Sequence, residues 1–208
     1  MDWNEFLHEA VAEKDADLVR QALTEGADSN RLDPSNGFRA GTTELYWAVS
    51  GGELEIVRLL LDAGARVAAE AQAESSSFHA AVEDVNLPIV SLLLDYDGHL
   101  ALDWFDYVDR TPLMVAVEAE HMTLAGRLVD AGANVNAHNE PRIGDTALHI
   151  AAANGTLEMV EMLLAAGADP TIPGWMARTA RDKARGRKRG DGPRIYEGLE
   201  RAARRFQR

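Results

Sequence analysis

The feature that most constrains the fold of this chain is a segment that recurs about every 33 to 35 residues. The clearest copy, TALHIAAANGTLEMVEMLLAAGADP, begins at Thr146, and related copies begin at Thr43, Ser76 and Thr111. Another copy near the N-terminus, FLHEAVAEKDADLVRQALTEGAD, lacks the opening threonine, and a degenerate copy follows Thr179. Recurrence at a fixed period predicts a stack of small structural units.

The spacing of apolar residues predicts two short helices in each copy. In the clearest copy, one apolar helical stripe includes Leu148 and Ala152, and a second spans residues 159–164. We expect Gly155 to end the first helix and Gly167 the second, each through the left-handed backbone that glycine adopts readily. Neither helix can bury its stripe alone, so neighbouring copies must supply the core.

These copies resemble the ankyrin repeat, whose Thr-Pro-Leu-His opening, paired alanines, glycine, Val-x-x-Leu-Leu run and Gly-Ala are matched almost in full from Thr146. The resemblance covers nearly the whole chain. It implies an all-α repeat solenoid of about six stacked repeats, each a helix-turn-helix with β-hairpin-like finger loops, with degenerate capping repeats at the ends. We expect a single domain over residues 1–208, with repeats at approximately 4–30, 39–67, 72–100, 107–136, 142–170 and 175–206.

Three departures from the pattern fall in the third and fourth repeats. Val85 and Asp97 replace the two glycines of the third repeat, and a β-branched residue tolerates left-handed backbone poorly. Gly126 lies inside the second helix of the fourth repeat, where it costs about 1 kcal/mol relative to alanine. We therefore expect these two repeats to be the least stable part of the stack.

Composition excludes several classes of protein. With no cysteine, the chain has no disulfide, thiolate metal site or cysteine nucleophile. No apolar run approaches the roughly 20 residues that cross a bilayer, and the N-terminus does not read as a signal peptide. We expect a cytoplasmic protein without membrane contact, and the many alanines with few lysines favour a GC-rich bacterial source.

The net charge of −13 conceals an uneven distribution. Residues 178–208 hold 12 basic and 4 acidic residues, whereas residues 1–177 hold 9 basic and 30 acidic ones. Charge asymmetry of this size gives information about binding partners rather than about the fold. We expect the acidic part to repel nucleic acid and to attract a partner protein with a basic surface.

The histidines do not predict a catalytic or metal site. His8, His79 and His149 occupy the fourth position of the Thr-Pro-Leu-His element or its equivalent, where the resemblance implies a structural imidazole hydrogen-bonded within the turn. They lie in alternate repeats, and neighbouring helices pack about 10 Å apart, so no two of them can share a metal ion. No nucleophile, phosphate-binding or zinc-protease motif is present. We expect no enzyme activity and no cofactor.

The basic run RGRKRG at residues 185–190 has two interpretations. It could form a nucleic-acid patch, but the acidic remainder opposes docking on phosphates and no aromatic residue interleaves the run. The interpretation that we favour is a capping repeat whose positive charge complements the acidic stack within the molecule.

Aromatic residues and arginines recur in the loops between repeats. Such residues anchor protein interfaces because they bury much area with little loss of rotamer freedom. The stretch DWFDYVD before the fourth repeat contains the most aromatic residues of these loops. Its first or second aromatic ring could instead fold back and fill space left by the degenerate third repeat. The candidate partner-binding residues are Phe38, Arg39, Trp47, Trp104, Phe105, Tyr107, Arg142 and Trp175.

The resemblance implies a protein-binding module that uses its concave face and fingertips. One hypothesis is an immunity protein that inhibits a basic cognate toxin, because stand-alone bacterial ankyrin proteins of this size resemble such inhibitors. The alternatives are a general scaffold or adaptor, a regulatory subunit, a secreted effector, or a nucleic-acid binder that uses the basic C-terminus. We expect a monomer.

Overall fold

The computed structural model describes residues 1–33, 41–67, 76–139, 144–187 and 190–206, and within these ranges it is helical, without a strand. The described helices form six consecutive pairs, which confirms the predicted all-α fold of helix-turn-helix repeats. Their bounds are α1 Trp3–Ala12, α2 Ala16–Thr24, α3 Glu44–Ser50, α4 Leu54–Asp62, α5 Ser77–Glu83, α6 Leu87–Asp95, α7 Pro112–Glu118, α8 Met122–Asp130, α9 Ala147–Ala153, α10 Leu157–Ala165, α11 Ala180–Arg185 and α12 Gly192–Phe206.

A hydroxyl residue begins the first helix of every repeat after the N-terminal one. The Oγ1 atom of Thr43 accepts the Tyr46 N–H at 3.4 Å, and Oγ of Ser76 accepts the His79 N–H at 3.2 Å. These bonds satisfy backbone donors that have no partner inside the helix. The residue that marks each repeat in the sequence is therefore also the residue that fixes where its first helix begins.

The second helices of the first, second, fourth and fifth repeats end alike. Each is followed by a glycine whose φ lies between +88° and +101°, namely Gly26, Gly64, Gly132 and Gly167. In this left-handed turn the N–H of the next residue returns to a carbonyl of the last helical turn, as from Ala168 to Leu163 at 3.0 Å. The expected role of Gly167 is confirmed.

The third repeat ends differently because Asp97 stands where the others have glycine. Its φ is −108°, and the chain continues into a 3₁₀ turn over Gly98–Ala101. A Cβ on Gly98 would lie 2.6 Å from the Leu93 carbonyl oxygen. Oδ1 of Asp97 accepts the Val67 N–H at 3.0 Å, so this side chain joins the second repeat to the third.

At the ends of the first helices, one prediction of left-handed backbone is confirmed and one is wrong. Val85 adopts a left-handed φ of 53°, as its position in the repeat implies. Gly155, expected to be left-handed, is not among the residues with positive φ. A Cβ there would lie 2.9 Å from the Ala151 Cα. The fifth repeat thus needs glycine because the backbone passes close to its own helix.

The chain forms two compact units, which we call unit 1 (Met1–Asp106) and unit 2 (Tyr107–Arg208). Within unit 1 the first helices α1, α3 and α5 pack on one another in order, and so do the second helices α2, α4 and α6. Within unit 2, α7, α9 and α11 pack in order and α10 contacts α12. This stacking of first helices on first helices, and of second on second, buries the apolar stripe of each helix. The single domain over residues 1–208 stays a prediction.

Asparagine side chains join successive repeats within each unit. In unit 1, Asn30 accepts the Arg66 N–H at 2.9 Å and donates to the Gly64 carbonyl oxygen at 2.8 Å. In unit 2, Asn136 contacts Asp169 and Gly167 in the same way, at 2.7 and 3.2 Å. These bonds satisfy loop backbone groups that the helices leave without partners.

Candidate protein-binding surface

Three of the eight sequence-predicted binding residues, Phe38, Arg39 and Arg142, lie outside the described residues. The loops that carry them are closed at their described ends by backbone hydrogen bonds. The Asp33 N–H donates to Thr42 at 2.9 Å, and the Gly144 N–H donates to Asn139 at 3.1 Å. Residues at these ends come together as in a hairpin, although no strand is assigned to the described part of the chain.

Trp47 is a half-buried side chain on α3 rather than a free surface ring. Its Nε1 donates to Thr42 Oγ1 at 3.0 Å, and its ring meets that of Tyr46 edge to face with centroids 5.3 Å apart. These contacts fix the indole, so only part of the ring is available to a partner.

The last residues of unit 1 include two candidates of different exposure. The Trp104 side chain is half-buried, and Phe105 is 39% exposed. The buried side chains of this stretch are those of Ala101, Leu102 and Asp106. Phe105 is therefore the more accessible of the two rings.

Tyr107, at the start of unit 2, is 69% exposed. The following turn is fixed at Asp109, which has a left-handed φ of 64° and accepts a hydrogen bond from Asn139 Nδ2 at 2.6 Å. Val108 is also exposed. The phenol thus stands on a turn that is anchored inside unit 2.

Trp175, in the loop before the sixth repeat, is 56% exposed, and its neighbour Met176 is 64% exposed. Met176, Leu100 and Val108 are exposed apolar residues that the sequence reasoning missed. The sequence feature that could have identified Met176 as a binding residue is its position beside a tryptophan in a loop between repeats. Its left-handed backbone carries no sequence signal.

Two of the three repeat histidines have the structural role that the resemblance implied. Nδ1 of His79 lies 3.0 Å from Ser76 Oγ, and Nδ1 of His149 lies 2.8 Å from Thr146 Oγ1. His8 departs from this, because no threonine precedes its helix and its Nδ1 lies 2.8 Å from Glu44 Oε1 in the next repeat. Among the described residues, no group of three or more potential ligands could hold a metal ion.

The basic run at residues 185–190 includes a buried arginine. The Arg187 side chain is 1% exposed, and all five of its N–H donors are engaged. It donates to the carbonyl oxygens of Ala151, Ala152 and Gly155 at the end of α9, and it binds both carboxylate oxygens of Asp191. Arg187 therefore ties the sixth repeat to the fifth.

Two further cations of the sixth repeat are also engaged within the molecule. Lys183 Nζ lies 2.6 Å from Asp145 Oδ2. Arg185 donates to the Tyr196 hydroxyl at 2.7 Å, and its guanidinium lies 4.9 Å from the centre of that ring. Hydrogen bonds from Thr179 hold the pKa of Asp182 below its usual range, which keeps this helix cap ionised.

Acidic residues are concentrated in unit 1. It holds 21 of the 34 acidic residues and 6 of the 21 basic ones, so unit 2 holds 13 acidic and 15 basic residues. Such a field steers partners of opposite charge. No helix in the described ranges combines the length and the apolar character that a membrane span needs.

Comparison with known proteins agrees with this geometry. The family model described as "Ankyrin repeats (3 copies)" matches residues 7–103 and 78–173. The chain is 33% identical to the nuclear factor NF-kappa-B p105 subunit of Gallus gallus over 80% of its own length and 16% of the relative's. It is 32% identical to the B-cell lymphoma 3 protein homolog of Mus musculus over 78% of its own length and 36% of the relative's.

Among solved structures, an ankyrin repeat domain from Acinetobacter baumannii AYE superimposes with a TM-score of 0.79 at 27% identity, covering 94% of this chain and 96% of that one. The chain spans well under half the length of the two curated relatives named above. The family model matches most of the chain. The helix pairs, capping threonines and turn glycines of the structure agree with that match. The chain belongs to the ankyrin repeat family.

Proposed function

We propose that this chain is a non-enzymatic protein-binding module whose loops and first helices bind a partner with a basic surface. Ankyrin repeat domains generally mediate protein–protein interaction, so the fold supports the general part of this function. Fold alone does not name a partner, and the partner's chemistry has to be argued from the surface.

The observation that carries the proposal is the charge of unit 1, with 21 acidic residues against 6 basic ones. Several of these carboxylates project from the N-terminal repeat, where Glu5, Glu9 and Glu13 are all exposed. A basic partner would be attracted at long range and held by opposite charges at the interface.

Exposed aromatic rings in the loops supply the apolar part of the interface. Phe105, Tyr107 and Trp175 present the most ring surface among the described candidates, and Trp47 and Trp104 contribute their accessible edges. We propose that Phe38, Arg39 and Arg142 also contact the partner, because they hold equivalent positions in the sequence repeat. Rings of this kind commonly supply most of the energy of an interface.

Two biological roles fit a module of this kind. One is an immunity protein that inhibits a basic toxin in the cytoplasm of a bacterium and acts as a monomer. The other is a regulatory subunit or adaptor, which the similarity to a protein named as a subunit of NF-kappa-B favours. The two roles differ in whether the partner loses its activity when the chain binds.

The test begins with capture of the partner from native lysate on the immobilised chain, followed by purification and kinetic measurement. We expect the association rate to fall at least tenfold between about 0.05 M and 0.5 M salt, because screening removes charge steering. The Glu5→Gln/Glu9→Gln/Glu13→Gln variant should associate more slowly at low salt and equally at high salt. An association rate that is flat with salt would contradict the basic-partner proposal.

A further inference from the structure

The loop before α11 exposes two large apolar side chains side by side. Trp175 and Met176 form its tip; we call these two residues the Trp–Met tip. Tryptophan and methionine bury large areas on contact, and both are enriched at protein interfaces.

The backbone of the loop is strained. Met176 and Ala177 have φ values of 59° and 57°, both in the left-handed region that disfavours residues with a Cβ. Two successive residues of this kind persist only where the surroundings fix the loop, and such strain clusters at sites of ligand contact.

Contacts inside unit 2 fix the base of the loop. The Gly174 N–H donates to the Arg178 carbonyl oxygen at 2.8 Å, and Nε2 of His149 lies 3.0 Å from the same oxygen. The Trp175 N–H donates to Asp145 Oδ1 at 3.0 Å, and the other oxygen of that carboxylate binds Lys183. The tip is therefore held in place before any partner arrives, which lowers the entropy lost on binding.

A cleft of about 470 Å³ lies beside the loop, between the end of α9 and α11. Its charged lining is Arg178, Lys183 and Arg187 with one carboxylate, Asp182. Arg178 is exposed, and its guanidinium makes no hydrogen bond or ion pair with any residue that the structure describes. Arg178 thus lines the cleft and also closes the base of the loop that carries the tip.

We propose that the Trp–Met tip and this cleft bind an acidic segment of a partner protein that carries large apolar side chains. The partner's apolar groups pack on Trp175 and Met176, and its carboxylates face Arg178 and the cleft. This inference rests on the proposed protein-binding function and adds to it that the part of the partner beside Trp175 is an acidic segment, which faces the exposed cation Arg178.

The geometry favours an acidic protein segment over nucleic acid. Arg187 has no N–H donor left for a phosphate, and Lys183 is paired with Asp145. Arg185 is engaged with Tyr196. Phosphate backbones are held by several cations at once, whereas an acidic segment can bind through one cation and an apolar anchor.

A phage-displayed library of random 12-residue peptides, selected on the immobilised full-length chain, tests the proposal. We expect one group of the enriched peptides, beside any basic peptides that unit 1 selects, to carry net negative charge with aromatic or large aliphatic residues. The affinity of these acidic peptides should fall at least tenfold on Trp175→Ser/Met176→Ser and severalfold on Arg178→Gln. It should be unchanged on the matched control Met122→Ser/Phe206→Ser, which removes two exposed apolar side chains from helices.

A selection that yields no acidic binder, or acidic peptides that bind the tip variant at full strength, would overturn the inference. A labelled 20-nucleotide single strand that binds the wild-type chain more tightly than the peptides, and loses affinity on Arg178→Gln, would overturn it in favour of nucleic acid. None of these results decides the proposed function, which is tested by the salt response of the captured partner and by the Glu5→Gln/Glu9→Gln/Glu13→Gln variant.

Discussion

At the scale of single residues, the His149 ring is held at both nitrogens. Nδ1 accepts the N–H of Thr146 at 3.1 Å, and Nε2 lies 3.0 Å from the Arg178 carbonyl oxygen. A ring nitrogen can contact a carbonyl oxygen favourably only as a donor, so the neutral ring with its proton on Nε2 satisfies both contacts. Burial lowers the pKa of His149, although Asp145 nearby acts in the opposite direction.

This arrangement predicts acid sensitivity. Because the folded-state pKa lies below the unfolded one, the contribution of His149 is complete above the unfolded pKa near 6.5 and is lost as pH falls through the folded pKa. The loss is at most about 1.4 kcal/mol for each pH unit. Urea unfolding at pH 7.5 and 5.5 should therefore show a larger acid destabilisation for the wild type than for His149→Gln. An equal pH response in the two proteins would contradict this role.

At the scale of secondary-structure elements, the end of α9 depends on a side chain from another repeat. The Arg187 guanidinium binds three carbonyl oxygens there, and Asp191 holds it from the other side. Carbonyl oxygens at a helix C-terminus lack partners within the helix and carry partial negative charge, so a buried cation stabilises them.

We expect Arg187→Met to lower the free energy of unfolding by about 3 kcal/mol, because it removes the buried ion pair with Asp191 and the guanidinium donors to three carbonyl oxygens at the end of α9. The exposed Arg205, also in the sixth repeat, provides the matched control, and Arg205→Met should stay within about 0.5 kcal/mol of wild type. The measurement is urea unfolding followed by circular dichroism. Equal stabilities for the two variants would show that the contact does not hold the repeat.

Helix α8 contains a glycine that its backbone does not require. Gly126 has an ordinary helical backbone, and an added Cβ would meet nothing within 4 Å. Gly126→Ala should therefore raise the free energy of unfolding by about 0.5–1 kcal/mol. Gly132→Ala is the control, since Gly132 has a φ of +99° and alanine there should destabilise. A thermal melt that ranks the two variants in the opposite order would refute this reading of α8.

At the scale of the whole molecule, the repeat pattern was enough to predict the helix pairs. The second, fourth and fifth pairs are bounded by residues with a local physical role, a capping hydroxyl at the start and a left-handed glycine at the end, as at Thr43 and Gly64. Helix caps and turns of this kind can be predicted from a sequence, because each of their hydrogen bonds joins residues a few positions apart.

Contacts between repeats could not be predicted in this way. Arg187 reaches α9 across more than 30 residues, and His8 contacts Glu44 across 36. Gly155 was expected to supply a left-handed φ, but it is needed for close packing on Ala151. The sequence identified the candidate aromatic residues as a group. It could not predict how exposed each ring is, because exposure depends on side chains from neighbouring turns.

We propose that the exposed loop aromatics bind a partner without supporting the fold. This proposal is tested most directly by the dissociation constant of the captured, purified partner for Tyr107→Ser/Trp175→Ser, measured beside the melting temperature. We expect a loss of about 2 kcal/mol or more, roughly thirtyfold in affinity, with a melting temperature close to that of the wild type. A variant that melts like the wild type and binds the partner with unchanged affinity would contradict it.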